Sequence, residues 1–212
     1  MKTNFIYSYL LLLSLFAPVA AASGSSGYQD VMRGELAKLD SATLANDYQQ
    51  CRNRFERMAQ MYADEWLPVY YTAYCDIQMV YMKHANAQVL LEDAKSFLEK
   101  LDTFVGADPS EVNTLWGYYY MALTAQHVAN AQNYYMEVIS RYEKAIGLNP
   151  DNPRPVCLLA FFRQNMPAFM RSDRQIAEGK EKAEALFKKE IPSPDKPYWG
   201  AVYLNWIQTG NN

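Results

Sequence analysis

One regularity constrains this chain before any other: nearly every long segment repeats its apolar residues at steps of three or four. Leu44, Tyr48, Cys51, Phe55, Met58 and Tyr62 form one such series. Leu90, Leu91, Ala94, Phe97, Leu98 and Leu101 form another, and Ala131, Tyr135, Val138, Tyr142 and Ala145 a third. This spacing places one apolar stripe along each of a succession of helices. Strict two-residue alternation, the mark of a half-buried strand, is absent, so the chain is read as all-α. Breakers separate the stripes at Asp108-Pro109-Ser110, at Asn149-Pro150-Asp151-Asn152-Pro153 and across residues 191–197. They predict helices near 29–39, 41–62, 65–83, 87–101, 110–128, 130–147, 153–164, 173–190 and 197–208, with Ser110 capping the fifth. Short links make successive helices antiparallel neighbours.

The N-terminus has the three-part pattern of a secretory signal: Lys2, an uncharged Leu-rich run from Phe5 to Phe16, and the small residues Ala20-Ala21-Ala22. Cleavage is expected after Ala21 or Ala22. The expected organisation is a signal peptide over 1–22, a flexible Ser/Gly linker over 23–27 and one helical domain over 28–212. The mature protein is then periplasmic or secreted, with no stable membrane span after signal cleavage. Loss of Lys2 takes the net charge from −3 to −4. That mild acidity argues against nucleic acid, which requires clustered Lys and Arg. The three cysteines, Cys51, Cys75 and Cys157, fit no zinc spacing. They are read as small buried hydrophobes, with a Cys51–Cys75 disulfide as the alternative an exported chain allows.

Tyr142-x-x-Ala145-x-x-x-x-Pro150, followed by Asp151-Asn152-Pro153-Arg154 and Leu158-Leu159-Ala160, resembles the junction between tetratricopeptide repeats. Ala183-x-x-x-Phe187 fits the second-helix core of that motif, and Trp66, Trp116 and Trp199 fall where its first helices favour Trp. With Val156 as the remaining anchor, the spacings are 50, 40 and 43 residues, against about 34 in the consensus. The resemblance covers roughly residues 41–208 and extends to exported bacterial proteins of this class, through Trp66-Leu67-Pro68-Val69-Tyr70-Tyr71 and Pro197-Tyr198-Trp199-Gly200. It implies antiparallel helix pairs stacked as a right-handed α-solenoid with degenerate, lengthened repeats. It also implies a concave groove lined by the first helices, where Tyr71, Tyr74, Met121, Arg154, Phe161, Gln164 and Asn165 would stand.

Little else in the chain suggests chemistry. The two histidines, His84 and His127, have no partner at metal-ligand spacing, and no Gly-rich phosphate loop or nucleophile elbow is present. Glu92-Asp93 reads as the solvated side of an amphipathic helix, and the mixed Lys and Glu of 178–190 as an exposed one. No catalytic, cofactor or metal site is expected. Seventeen Tyr supply large contact areas with polar tips. The functional expectation is a non-catalytic binding or scaffold protein of the cell envelope that takes a protein or peptide partner in the aromatic groove, Arg154 gripping a carboxylate. Two alternatives stand beside it. One is a helical enzyme, or enzyme accessory, using an unrecognised Cys/His/carboxylate site. The other is a self-associating envelope protein with Trp206 and Ile207 at the contact, although these two fit a capping helix better.

Overall fold

The computed structural model describes residues 24–83 and 86–208. The expected signal peptide and His84 lie outside the described residues. Among the described residues eight α-helices follow one another: α1 (Gly24–Asp40), α2 (Ala45–Met61), α3 (Trp66–Tyr81), α4 (Ala87–Asp102), α5 (Pro109–Gln126), α6 (Gln132–Leu148), α7 (Pro153–Gln164) and α8 (Asp173–Phe187). No strand occurs among the described residues. No helix among them is long and apolar enough to cross a membrane.

The helix boundaries follow from local chemistry. At α5 the side chain of Asp108, not of Ser110, caps: its Oδ1 accepts from the backbone N–H groups of Ser110 and Glu111 at 2.8 and 3.4 Å. Pro109 occupies the first helical position, where a missing N–H costs nothing. Ser110 is thereby inside the helix and buried, and its hydroxyl donates to the Ala145 carbonyl at 2.9 Å. At α7 Asn152 and Pro153 repeat the device, Asn152 Oδ1 accepting from Arg154 N at 3.1 Å. Two expectations fail at the ends. Gly24–Gly27 belong to the first turn of α1 rather than to a linker. The helix expected over 197–208 is an irregular segment followed by a single 3-10 segment, Ala201–Trp206. Gly200 explains the second failure: its φ of +98° lies in the left-handed region and stops a right-handed helix.

Burial sorts the helices into layers. Helix α3 is buried on every side from Leu67 to Ile77, and α5 nearly so from Ser110 to Tyr119, as expected of helices covered all round. Helices α2, α4, α6 and α8 bury one stripe each. Helix α3 packs between α2 and α4, α5 against α6, and α7 against α8, while α3 touches α5 and α5 touches α7. Thus α3, α5 and α7 form an inner row with their partners outside. Two close approaches set the pairing. Cα of Gly117 faces the Tyr142 ring so closely that a Cβ would lie 2.5 Å from Cε1, and a Cβ at Gly179 would lie 2.9 Å from that of Ala160. Tyr142 and Ala145 are fully buried against α5.

Candidate functional site

The open side of the inner row is crossed by the chain's own C-terminal segment. The Tyr198 N–H donates to the Tyr71 hydroxyl at 3.0 Å, and the Trp199 indole N–H donates to the Tyr70 hydroxyl at 2.9 Å. Trp199 then lies against both Tyr74 and Tyr118, with ring centroids 4.7 and 5.1 Å away. The Tyr203 and Tyr118 hydroxyls share a hydrogen bond. At the far end Gln164 donates to the Trp206 carbonyl at 3.0 Å and accepts from Gln208 N, while Lys180 Nζ donates to the Ile207 carbonyl at 2.8 Å. The repeat pattern places Trp199 early in a first helix; it instead lies in irregular chain before the 3-10 segment. It fills the space between two inner helices.

This crossing decides where the predicted groove residues stand. Tyr71 and Met121 are buried, the latter beside the Tyr142 hydroxyl, and Tyr74 lies beneath Trp199. Desolvation raises the Tyr74 phenol well above its usual pKa, so it stays neutral. Arg154 faces inward. Its Nη2 and Nε reach Glu111 at 2.6 and 3.0 Å, and its Nη1 reaches Glu190 at 2.6 Å. Its donors are thus committed inside the protein, and the carboxylate grip expected of it is taken by Glu111 and Glu190. Asn165 is exposed and closes the end of α7 by donating to the Phe161 carbonyl at 2.7 Å.

Phe161 and Gln164 remain at the surface, joined by residues that sequence reasoning placed elsewhere. Phe161, Tyr203 and Trp206 form a triangle with centroid separations of 5.1, 6.0 and 5.0 Å. Trp206 is 52% exposed. Tyr48 of α2 stands half-buried within electrostatic range of both Tyr74 and Tyr203. The result is an aromatic face on a fixed backbone, held from below by Gln164. The signal for it was present in Tyr198, Trp199, Tyr203 and Trp206, four large rings within nine residues. Helical periodicity hid it, because the same residues also fit a capping helix.

Other parts of the molecule offer less. A cleft of about 420 Å³ near the 149–153 turn is lined by Asp108, Asn149, Asp151, Lys189 and Lys196 among others, a polar setting. The three cysteines are buried free thiols, with no Cys51–Cys75 disulfide. Burial pushes the Cys157 thiol up to about 12, the reverse of what a nucleophile requires. No group of three His, Cys, Asp or Glu among the described residues is arranged to hold a metal. His127 ends α5 with the Tyr134 ring 6.3 Å away.

No protein-family model matches the chain, and no curated protein matches it in sequence. Among solved structures it is similar to the HusA haemophore from Porphyromonas gingivalis. The identity is 27% and the TM-score 0.77, over 87% of this chain and 92% of that one.

Proposed function

We propose that this chain is an exported, non-catalytic binding protein whose ligand is a planar tetrapyrrole of the haem class, received on Phe161 and Trp206 above the buried Tyr203. The half-exposed Trp206 carries the reading. A folded chain that leaves an indole half in water, above a packed aromatic layer, keeps a surface suited to a flat apolar partner. Rings present their faces and edges to such a ligand at small entropic cost. The likeness to a protein named as a haemophore supports the same ligand class. The tetratricopeptide-like stacking expected from the sequence is compatible with the pairing of α3 with α4, α5 with α6 and α7 with α8. A peptide held through its carboxylate is the weaker reading, because Arg154 already binds two carboxylates of its own chain.

Titration with hemin and with iron-free protoporphyrin, followed by tryptophan quenching and by the Soret band, tests this. Both ligands should quench, since ring faces rather than an imidazole supply the contact. Trp206→Ala and Phe161→Ala should each weaken binding about tenfold with an unchanged helical spectrum. No quenching and no Soret shift at micromolar ligand would remove the tetrapyrrole reading.

A further inference from the structure

Arg154 holds two carboxylates, and their surroundings differ. Glu111 receives Nε and Nη2 of Arg154, the Asn152 side-chain amide at 2.8 Å and the Tyr70 hydroxyl at 3.2 Å, so both of its oxygens have donors. Glu190 has a single bond. Its Oε1 accepts from Arg154 Nη1 at 2.6 Å, while its Oε2 is out of solvent and has no donor. The Glu190 side chain is 7% exposed. The local chain fixes it there: its backbone N–H donates to the Phe187 carbonyl at 3.1 Å in the turn that ends α8, and Pro192 keeps the helix from resuming. One guanidinium thus stands between two carboxylates. The group carries one formal negative charge in excess and is one donor short. Buried acceptors without a donor are rare in native proteins, and a charged one is costly.

Glu190 also lines the cleft of about 420 Å³ that opens between the start of α5, the 149–152 turn and the segment after α8. That volume falls within the range of small-ligand sites, roughly 300–1,000 Å³. Asp108 and Asp151 add negative charge to its wall, yet no three such groups among the described residues are arranged to hold a metal ion. Lys189 and Lys196 line it as well; both are exposed, and neither forms an ion pair. We propose that this cleft binds a small zwitterion of the amino-acid or dipeptide class, its ammonium donating to Glu190 Oε2 and its carboxylate meeting Lys189 and Lys196. An ammonium supplies the missing donor and the missing positive charge together. A polyamine would meet the two lysines as like charges, and a simple anion would meet Glu190 as one. Neither Phe161 nor Trp206 lines the cleft, so this site is independent of tetrapyrrole binding.

Calorimetric titration of the chain from Ser23 onward, the form expected after signal removal, with alanyl-alanine tests the proposal. N-acetyl-alanyl-alanine and alanyl-alanine amide serve as half-probes. The dipeptide should bind and raise the melting temperature. The acetylated probe, without the ammonium, should bind about tenfold or more weakly, and the amide, without the carboxylate, should lose a smaller factor. Glu190→Gln keeps an acceptor for Arg154 and sets an NH2 donor where Oε2 stands. It should lose the dipeptide while melting no lower than the unliganded wild type. Lys189→Ser/Lys196→Ser should reduce dipeptide affinity to that of the amide and leave the unliganded melting temperature unchanged. Neither heat nor a melting shift with the dipeptide at millimolar concentration would overturn the proposal, as would equal binding of the acetylated probe. A lower melting temperature of the unliganded lysine double variant would overturn it too, by showing that a lysine of the chain itself serves Glu190 Oε2.

Discussion

Glu111 and Arg154 meet across the starts of α5 and α7 at 2.6 Å, both side chains almost wholly out of solvent. Asn152 adds a hydrogen bond to the same carboxylate at 2.8 Å, and the Tyr70 hydroxyl adds another at 3.2 Å. Tyr70 is in turn the acceptor for the Trp199 indole. One carboxylate thus ties three helices and the C-terminal segment together. Such a pair is costly to desolvate and costlier to break, since removing one partner strands a buried charge.

Arg154→Met should therefore destabilise the protein by about 3–5 kcal/mol, and the double variant Glu111→Leu/Arg154→Met should recover part of that loss. Urea unfolding of the three proteins provides the comparison. Equal stability of Arg154→Met and wild type would mean that the pair is hydrated in solution.

Gly117→Ala should cost about 1–3 kcal/mol through collision with Tyr142, despite the better helix propensity of Ala. Ala145→Leu should overpack the same α5–α6 contact to a similar degree. Melting temperatures report both, and a neutral Gly117→Ala would show that α6 can retreat.

Asp76 gives stability a pH dependence. Its carboxyl is buried, and burial pushes its pKa up to about 7 against the opposing pull of Arg52. The unfolded chain returns it to about 4. Between those values the folded state binds more protons than the unfolded one, so this contribution is complete below about pH 4 and is lost as pH rises through about 7. Asp76→Asn should flatten that slope. Urea midpoints at pH 5 and pH 8 provide the measurement, and a slope unchanged in the variant would assign it to another group.

The three thiols should be silent in the native state. Cys75 and Cys157 are completely buried, and desolvation raises both thiol pKa values. An aromatic disulfide reagent at pH 8 should leave all three unmodified over minutes and react fully in denaturant. Rapid labelling of the folded protein would indicate local opening of α3 or α7.

Much of the architecture was legible in the residues, and the reason is local. The apolar stripes of α2, α4 and α6 are set by neighbours three and four positions away, and Tyr142 with Ala145 marked a true contact with α5. The candidate site was less legible because its determinants are distant. Nothing near Arg154 announces that its carboxylates are Glu111 and Glu190, 43 and 36 residues away. Tyr71 and Tyr74 have the same spacing whether they face solvent or a covering segment of chain. What covers them begins at Tyr198, more than 120 residues later. The misplacement of the α5 cap on Ser110 had a smaller cause: Asp108 before a proline is an equally good acceptor, and only burial of Ser110 against α6 separates the two.

The C-terminal crossing also changes how such a stack should come apart. In a linear array of helix pairs each pair touches only its neighbours, so the ends fray first and the middle survives alone. Here Trp199 is bonded to Tyr70, a separation of 129 residues, and the last segment belongs to the first inner helix as much as to the last. The array is closed into a ring of contacts. Its loss should be all-or-none, and a chain still lacking its final residues during synthesis has every helix but no lock.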